Sequence, residues 1–416
     1  MTQETIFPGI DDYLAPFFKY FHRSEGRDLT QSYVVGLMLD GKRKSVEPMS
    51  EKVNASERSM QRLLTEVKWD EEEVIREYRR IMLAETNDPQ GVLALDDTGF
   101  PKKGRHSVCV ARQYCGATGK VDNCQIGVTL TYVGQDVAWP YSMELFVPKK
   151  WDQPDDTDCA ARRAKTRMPD TAHHQEKWRL ALEQLDLARA DGVPHRAVVA
   201  DSWYGDIPEF RQGLAERGEN YVVGIHSNTM VFLEPPALEP APPPKRKRGR
   251  PRKRPPVLNV NPKPVKVSEV GEKIAEDAWE RLELRKDSQN KPMMVEAVSL
   301  PVWLANGYRS GCICEQVWLI VERRESERRG KELRYFVSDL PQCQPTIEMV
   351  RLYHERFWIE QGYQQLKDEL GLDHHEGRSW IGWHRHVLLV FLAFGYLTLL
   401  RLLEKKRESD KPGGRG

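Results

Sequence analysis

The sequence predicts an α/β protein, α+β overall, in which a strand-helix-strand core lies between helical ends and is interrupted by a β-rich insertion. Three observations predict it. Short apolar runs at 92–95 and 197–200 flank a helical stretch at 175–190, the order from which parallel α/β layers are built. Apolar residues recur at helical spacing before residue 88 and after residue 346, as amphipathic helices require. Eleven of the 27 prolines fall between Pro235 and Pro264, and three strand-like runs follow them.

Residues 1–88 read as a helical domain, with Val34, Leu37 and Met38 on one helical face and punctuation at Gly41 and Pro48. Met49 to Val53, a break at Asn54, and Ser56 to Thr65 resemble two short helices joined by a tight turn, with Ser56 as the cap of the second. Arg58 and Arg62 lie one turn apart, as a groove-reading helix presents them. Helix pairs with a few basic residues also occur in proteins that never touch nucleic acid.

Residues 89–230 carry the first part of the core. Runs at 92–95, 107–111 and 126–133 read as strands, 175–190 as a helix, and 197–200 as a strand ending in Asp201. Residues 231–345 combine a proline-rich linker with the insertion. The linker holds KRKRGRPRKR from Lys245 to Arg254, eight basic residues in ten. A helix is expected near Glu269 to Leu284, then strands at 295–304, 316–321 and 333–337. Residues 346–416 read as C-terminal helices of the core. Their apolar run from Val387 to Leu400 is shorter than the roughly 20 residues that span a bilayer and reads as a buried helix.

Composition bounds the rest. A chain of 416 residues exceeds a single small core, and 39% hydrophobic content with 11 Trp excludes wholesale disorder. Its 63 basic and 62 acidic residues cancel in sum but not locally. Seven cysteines, with Cys312-x-Cys314 but no CxxC, form neither a zinc framework nor a disulfide scaffold. The start shows no basic segment leading into an apolar core, so a reducing cytoplasm and no membrane are expected.

The chemistry concentrates in acids. At about 100° per residue, Tyr353, Arg356, Glu360 and Lys367 fall within about 60° of one another on a helical wheel, beside an apolar stripe. A carboxylate flanked there by cations and a phenol would emerge at the lip of a cleft suited to phosphate. The same spacing also describes an ordinary amphipathic helix with an Arg356–Glu360 surface pair. Asp97 and Asp201 each follow a strand-like run, and open α/β sheets place ligands beyond the carboxyl ends of their strands. Aspartate after a strand is equally good loop chemistry. Together the three acids suit Mg²⁺, and two such ions can activate an attacking oxygen and stabilise a leaving one.

These motifs resemble a known family. Tyr353-x2-Arg356-x3-Glu360-x6-Lys367 has the spacing of the YREK signature in one branch of bacterial insertion-sequence DDE transposases. LALDDTGFPKKG (93–104) and VVADSWYGD (198–206) resemble the strands that carry that branch's first and second aspartates. HSVCVARQYCGATGKVDNCQ and GLDHHEGRSWIGWHRH look like the insertion-sequence seven-zero-one group in particular. The resemblance spans about residues 10 to 403.

It implies an RNase H-like catalytic core with Asp97, Asp201 and Glu360 as catalytic acids and metal ligands, holding two Mg²⁺ ions for which Mn²⁺ can substitute. Tyr353, Arg356 and Lys367 match positions that contact DNA near the cut. Asp96 competes with Asp97, since strand alternation points them to opposite faces, and the following Thr98 favours Asp97. About 160 residues separate Asp201 from Glu360, so an inserted unit is expected, similar to that of relatives that cut through a hairpin intermediate. Arg248-Gly249-Arg250-Pro251 departs from the family pattern and looks like an AT-hook core, which reads a narrow minor groove. A solvated charge run or a nonspecific phosphate clamp accounts for the same residues. The resemblance implies cut-and-paste transposition. Its partners would be double-stranded DNA, as terminal inverted repeats and target, and a second copy of the chain when assembled on DNA. The alternative is a DNA-binding regulator derived from a transposase that has lost catalysis.

Overall fold

The computed structural model describes residues 7–135, 137–240, 257–286, 291–306, 315–326, 330–341 and 345–409. Helices come first: α1 (Ile10–Leu14), α2 (Ser24–Met38), α3 (Val46–Lys52), α4 (Glu57–Thr65) and α5 (Glu71–Thr86). Strands β1 (Val92–Pro101), β2 (Ala111–Cys115), β3 (Lys120–Gly134) and β4 (Val137–Leu145) follow, then α6 (Thr157–Lys165) and α7 (Lys177–Ala190). Next are β5 (Ala197–Ala200), α8 (Ser202–Gly205), α9 (Pro208–Glu216), β6 (Tyr221–Ile225), β7 (Met230–Phe232), β8 (Ala237–Pro240), β9 (Val257–Asn261), β10 (Val265–Lys266) and α10 (Val267–Glu272). The chain ends with β11 (Glu280–Lys286), β12 (Pro292–Leu304), β13 (Gln316–Ser326), β14 (Gly330–Ser338), α11 (Thr346–His354), α12 (Phe357–Gln364), a π turn (Gln365–Glu369) and α13 (Trp380–Ser409). Residues 245–254, including Arg248, Gly249, Arg250 and Pro251, lie outside the described residues.

Two compact units form, one from residues 1–91, 96–194 and 358–416, the other from 92–95 and 195–357. The second unit holds a mixed α/β sheet. The start of β1, β5 and β6 run parallel, with Leu95 opposite Ala200 and Ala200 opposite Val223. From β6 the sheet turns antiparallel through β14, β13 and β12, and β12 carries both β11 and β7 along its other edge. All four residues of β5 are fully buried, as an apolar run in a strand covered on both faces should be. Helix α11 packs across β5, β6, β12 and β13.

In the first unit β3 pairs antiparallel with β2 and β4, and α7 packs on β3 and β4. Ser56 accepts a hydrogen bond from the Ser59 amide and caps α4, whose Met60, Leu63 and Leu64 are buried, so this short helix forms as its cap and apolar spacing dictate. Asn54 makes the preceding turn at φ 52°, a conformation asparagine tolerates well. Helix α13 is apolar on every side from Val387 to Phe394. It is long and apolar enough to cross a membrane, yet Leu389, Val390, Phe391, Leu392 and Ala393 are buried against α2, α4, α5 and β4.

A buried histidine in the second turn of α13 is expected to make this unit acid-sensitive. His386 is 1% exposed, accepting from the Tyr33 hydroxyl at 2.9 Å and donating Nε2–H to the Gly371 carbonyl at 3.1 Å, a pairing that suits the neutral ring. Burial pushes its pKa down to about 4. Between the ordinary value of 6.5 and about 4 the unfolded chain takes up a proton that the folded one refuses. Stability present above the ordinary value is therefore lost as pH falls through that window. The loss from this group is about 3 kcal/mol, at about 1.4 kcal/mol per unit. Urea midpoints at pH 7 and pH 4.5 check this, and His386→Gln is expected to flatten the dependence.

Three local expectations are corrected. Residues 107–110 form a packed turn instead of a strand: Cys109 takes φ 56° and the Val108 amide donates to the Arg378 carbonyl, so the apolar run is buried without a ladder. The helix expected over 269–284 stops at Glu272, and 280–286 is a strand, because Leu282 finds Val295 across β12 and tertiary pairing overrides a weak helical pattern. The single helix expected to carry Tyr353 through Lys367 is interrupted. Tyr353 lies on α11, Arg356 in a turn, Glu360 on α12 and Lys367 in the π turn, so a uniform wheel does not describe their faces.

Candidate active site

In the second unit, β5 ends at Ala200, and the next residue, Asp201, is the N-cap of α8. Its Oδ1 accepts from the amides of Trp203 at 2.9 Å and Tyr204 at 3.2 Å, so the strand-to-helix turn fixes the carboxylate's rotamer. The chain must pass β6 closely here. A Cβ on Gly224 would stand 2.7 Å from the Tyr353 hydroxyl oxygen and 2.9 Å from the Ser202 amide nitrogen. Gly224 therefore lets the Tyr353 phenol approach the Asp201 turn.

Tyr353 is held on two sides. Its ring stacks on Phe336 of β14 with centroids 4.2 Å apart and planes 12° apart. Arg356 lies over the ring at 5.7 Å and its Nη1 donates to the phenol at 3.5 Å. Burial raises the phenol's pKa, the Arg356 charge opposes that, and the Asp201 carboxylate adds to it. Asp201, Tyr353 and Arg356 are thus brought together within one unit.

The end of α11 is anchored by residues that sequence reasoning missed. Glu322 of β13 is fully buried, accepts from His354 Nε2 at 2.5 Å, and pairs with Arg324 at the same distance. Burial disfavours its ionised form, but His354 and Arg324 outweigh that and hold its pKa below the usual value. The signal available in the sequence was a glutamate closing the apolar run Val317–Val321, in a strand whose alternation turns it inward.

In the first unit, Asp96 and Asp97 lie inside β1, not after it, because the strand continues to Pro101. Asp96 Oδ1 accepts from the Asp97 amide at 2.8 Å, and Asp97 pairs with Lys177 at the start of α7. Lys367 Nζ donates to the Gly99 carbonyl at 3.0 Å and lies 5.6 Å from the Phe100 ring. Burial lowers its pKa, and Asp373, Asp368 and Asp96 partly offset this. Glu360 is exposed in the first turn of α12, where a negative charge complements the helix dipole. Tyr363, one turn on, hydrogen-bonds Thr129 of β3 and fixes that helix on its sheet.

Among the described residues, no three His, Cys, Asp or Glu side chains stand together as a ready-made metal cage. Carboxylate oxygens are nonetheless the kind of donor that a hard divalent cation takes. Asp97 already draws an ammonium, and Mg²⁺ typically takes one or two carboxylates and fills its remaining positions with water and phosphate oxygens.

Residues 16–291 match the family model described as DDE superfamily endonuclease. The match takes in Asp97 and Asp201 and ends before Glu360. The chain is also 27% identical, over 234 residues, to a protein from Microchaete diplosiphon named as the probable transposase for insertion sequence element IS701. That alignment covers 56% of this chain and 54% of the relative, so the chain spans about half the length of the curated relative it matches.

Proposed function

Because the chain belongs to the DDE superfamily endonucleases, we propose that it is a transposase that cuts DNA at the ends of its element and joins the freed 3′-hydroxyl to target DNA. The register of the parallel strands is the observation that carries this reading. Leu95 sits opposite Ala200 where the start of β1 runs parallel to β5, and Asp201 follows directly at the carboxyl end of β5. That carboxyl edge is where α/β sheets collect ligands. The likeness to a probable insertion-sequence transposase adds the substrate class.

Asp97, Asp201 and Glu360 would hold two Mg²⁺ ions, or Mn²⁺ in their place. Bound there, the ions would activate the attacking oxygen and stabilise the leaving one in an in-line displacement. The chain's own residues do the positioning. Asp201 is pre-set by the amides of α8, so little conformational freedom is lost when it binds. Arg356 and Lys367 supply positive charge for backbone phosphates, and Tyr353 offers a donor hydroxyl that burial keeps protonated. The basic run 245–254 adds nonspecific, salt-dependent affinity for duplex DNA, with Arg248-Gly249-Arg250-Pro251 as its minor-groove element. An element has two ends to process, so two copies of the chain acting together on DNA follow from one site per end.

The test is cleavage of duplexes carrying the element's own terminal repeats, with Mg²⁺, Mn²⁺ or EDTA. Cuts at the repeat boundary with either metal, abolished by EDTA, are expected. Tight binding without cuts under every condition would instead identify a DNA-binding regulator.

A further inference from the structure

Lys177 is placed against the rules for its own helix. It is the first residue of α7, where the dipole favours acids and disfavours cations, and the first turn contains no acid to compensate. The neighbouring Glu176 is engaged elsewhere, by Lys149 at 3.3 Å and His174 at 3.5 Å. Lys177 instead reaches Asp97 Oδ2, and the two side chains are only 19% and 18% exposed. An ion pair this sheltered is less screened than a surface pair. A cation thus sits on one of the carboxylates read above as a metal ligand.

We propose that Lys177 is a built-in counter-ion of Asp97, which occupies the carboxylate until a divalent cation displaces it. The inference rests on the reading of Asp97 as a metal ligand. Its physical basis is competition. The ammonium takes part of the carboxylate's negative charge and repels a second cation arriving at the same group, so whatever it gains there is subtracted from the affinity of the incoming ion. In return, Asp97 is held in place with neither metal nor DNA bound, and metal loading becomes dependent on substrate, whose phosphates supply the missing oxygens. The displaced ammonium is left beside the metal site, where a phosphate is its natural partner.

The experiment is direct Mn²⁺ binding to the full chain without DNA, read from the loss of the free-ion electron paramagnetic resonance signal, for wild type, Lys177→Gln, Lys177→Arg and Asp97→Asn. Lys177→Gln is expected to bind Mn²⁺ about tenfold more tightly than wild type, equivalent to about 1.4 kcal/mol. Lys177→Arg keeps a cation in place and should bind more weakly than Lys177→Gln. Lys177→Met is measured beside them, so that if the Gln variant fails to fold, weaker binding in Lys177→Arg than in Lys177→Met carries the same test. Asp97→Asn should lose the binding. Equal Mn²⁺ affinity in wild type and every Lys177 variant, with binding lost in Asp97→Asn, would overturn the counter-ion role and leave the metal site standing. Unchanged binding in Asp97→Asn would remove the metal assignment itself, and the inference with it.

Discussion

Cleavage by Glu360→Gln or Asp201→Asn is expected to fall on the order of 10³-fold, about 4 kcal/mol of barrier, with binding to terminal-repeat DNA retained. Each change keeps the side chain's size and removes its charge, so folding is barely touched while a metal position is weakened. Glu360 is exposed on α12, which makes a purely structural effect small at that site. Asp201→Asn keeps an oxygen for the amides of Trp203 and Tyr204, and so preserves the cap of α8. Asp97→Asn should lose as much as Asp201→Asn, and Asp96→Asn considerably less. Single-turnover cleavage alongside gel-shift affinity separates the two effects. Full activity in Glu360→Gln would remove the glutamate from the mechanism.

The second large effect is on stability. Gly205 closes α8, and a Cβ there would stand 1.8 Å from the Gly224 carbonyl oxygen and 3.1 Å from the Val223 Cβ. Backbone cannot yield as a flexible side chain can, so Gly205→Ala is expected to destabilise the chain by about 3 kcal/mol or more. Because the obstructing carbonyl belongs to the residue beneath Tyr353, the same change should disturb the Asp201 turn. A Cβ on Gly116 would meet nothing within 4 Å, and Gly116→Ala should stay within about 0.5 kcal/mol of wild type. Urea unfolding of both variants, with wild type as reference, decides the matter.

The parts of the fold that were legible in the sequence are those fixed locally. Ala197 to Ala200 reads as a buried strand because four small apolar residues leave no polar face, and it is one. Ser56 reads as a cap because its hydroxyl needs only the amide three residues on. Asp201 reads as strand-terminal for the same local reason, and the structure adds that two amides hold it.

What was not legible depends on distant partners. The break between α11 and α12 occurs where His354 is taken by Glu322 and Arg324, some 30 residues upstream, and a helical wheel carries no trace of that. Residues 280–286 become a strand only because β12 offers an edge. The Asp97–Lys177 pair joins residues about 80 apart, and its sole trace in the sequence is a lysine where the first turn of a helix ordinarily takes an acid. Nonlocal pairing of this sort also moves Tyr353 and Glu360 off one helical stripe, so spacing identified the residues without describing how they are presented.

The account is tested most directly by following a labelled duplex that ends in the element's terminal repeat, incubated with the full chain, Mg²⁺ and a supercoiled target plasmid. The expected result is covalent joining of the repeat's 3′ end to the plasmid, dependent on Mg²⁺ and absent for Glu360→Gln. Nicks or breaks with no joined strands, or joining that persists in Glu360→Gln, would contradict it.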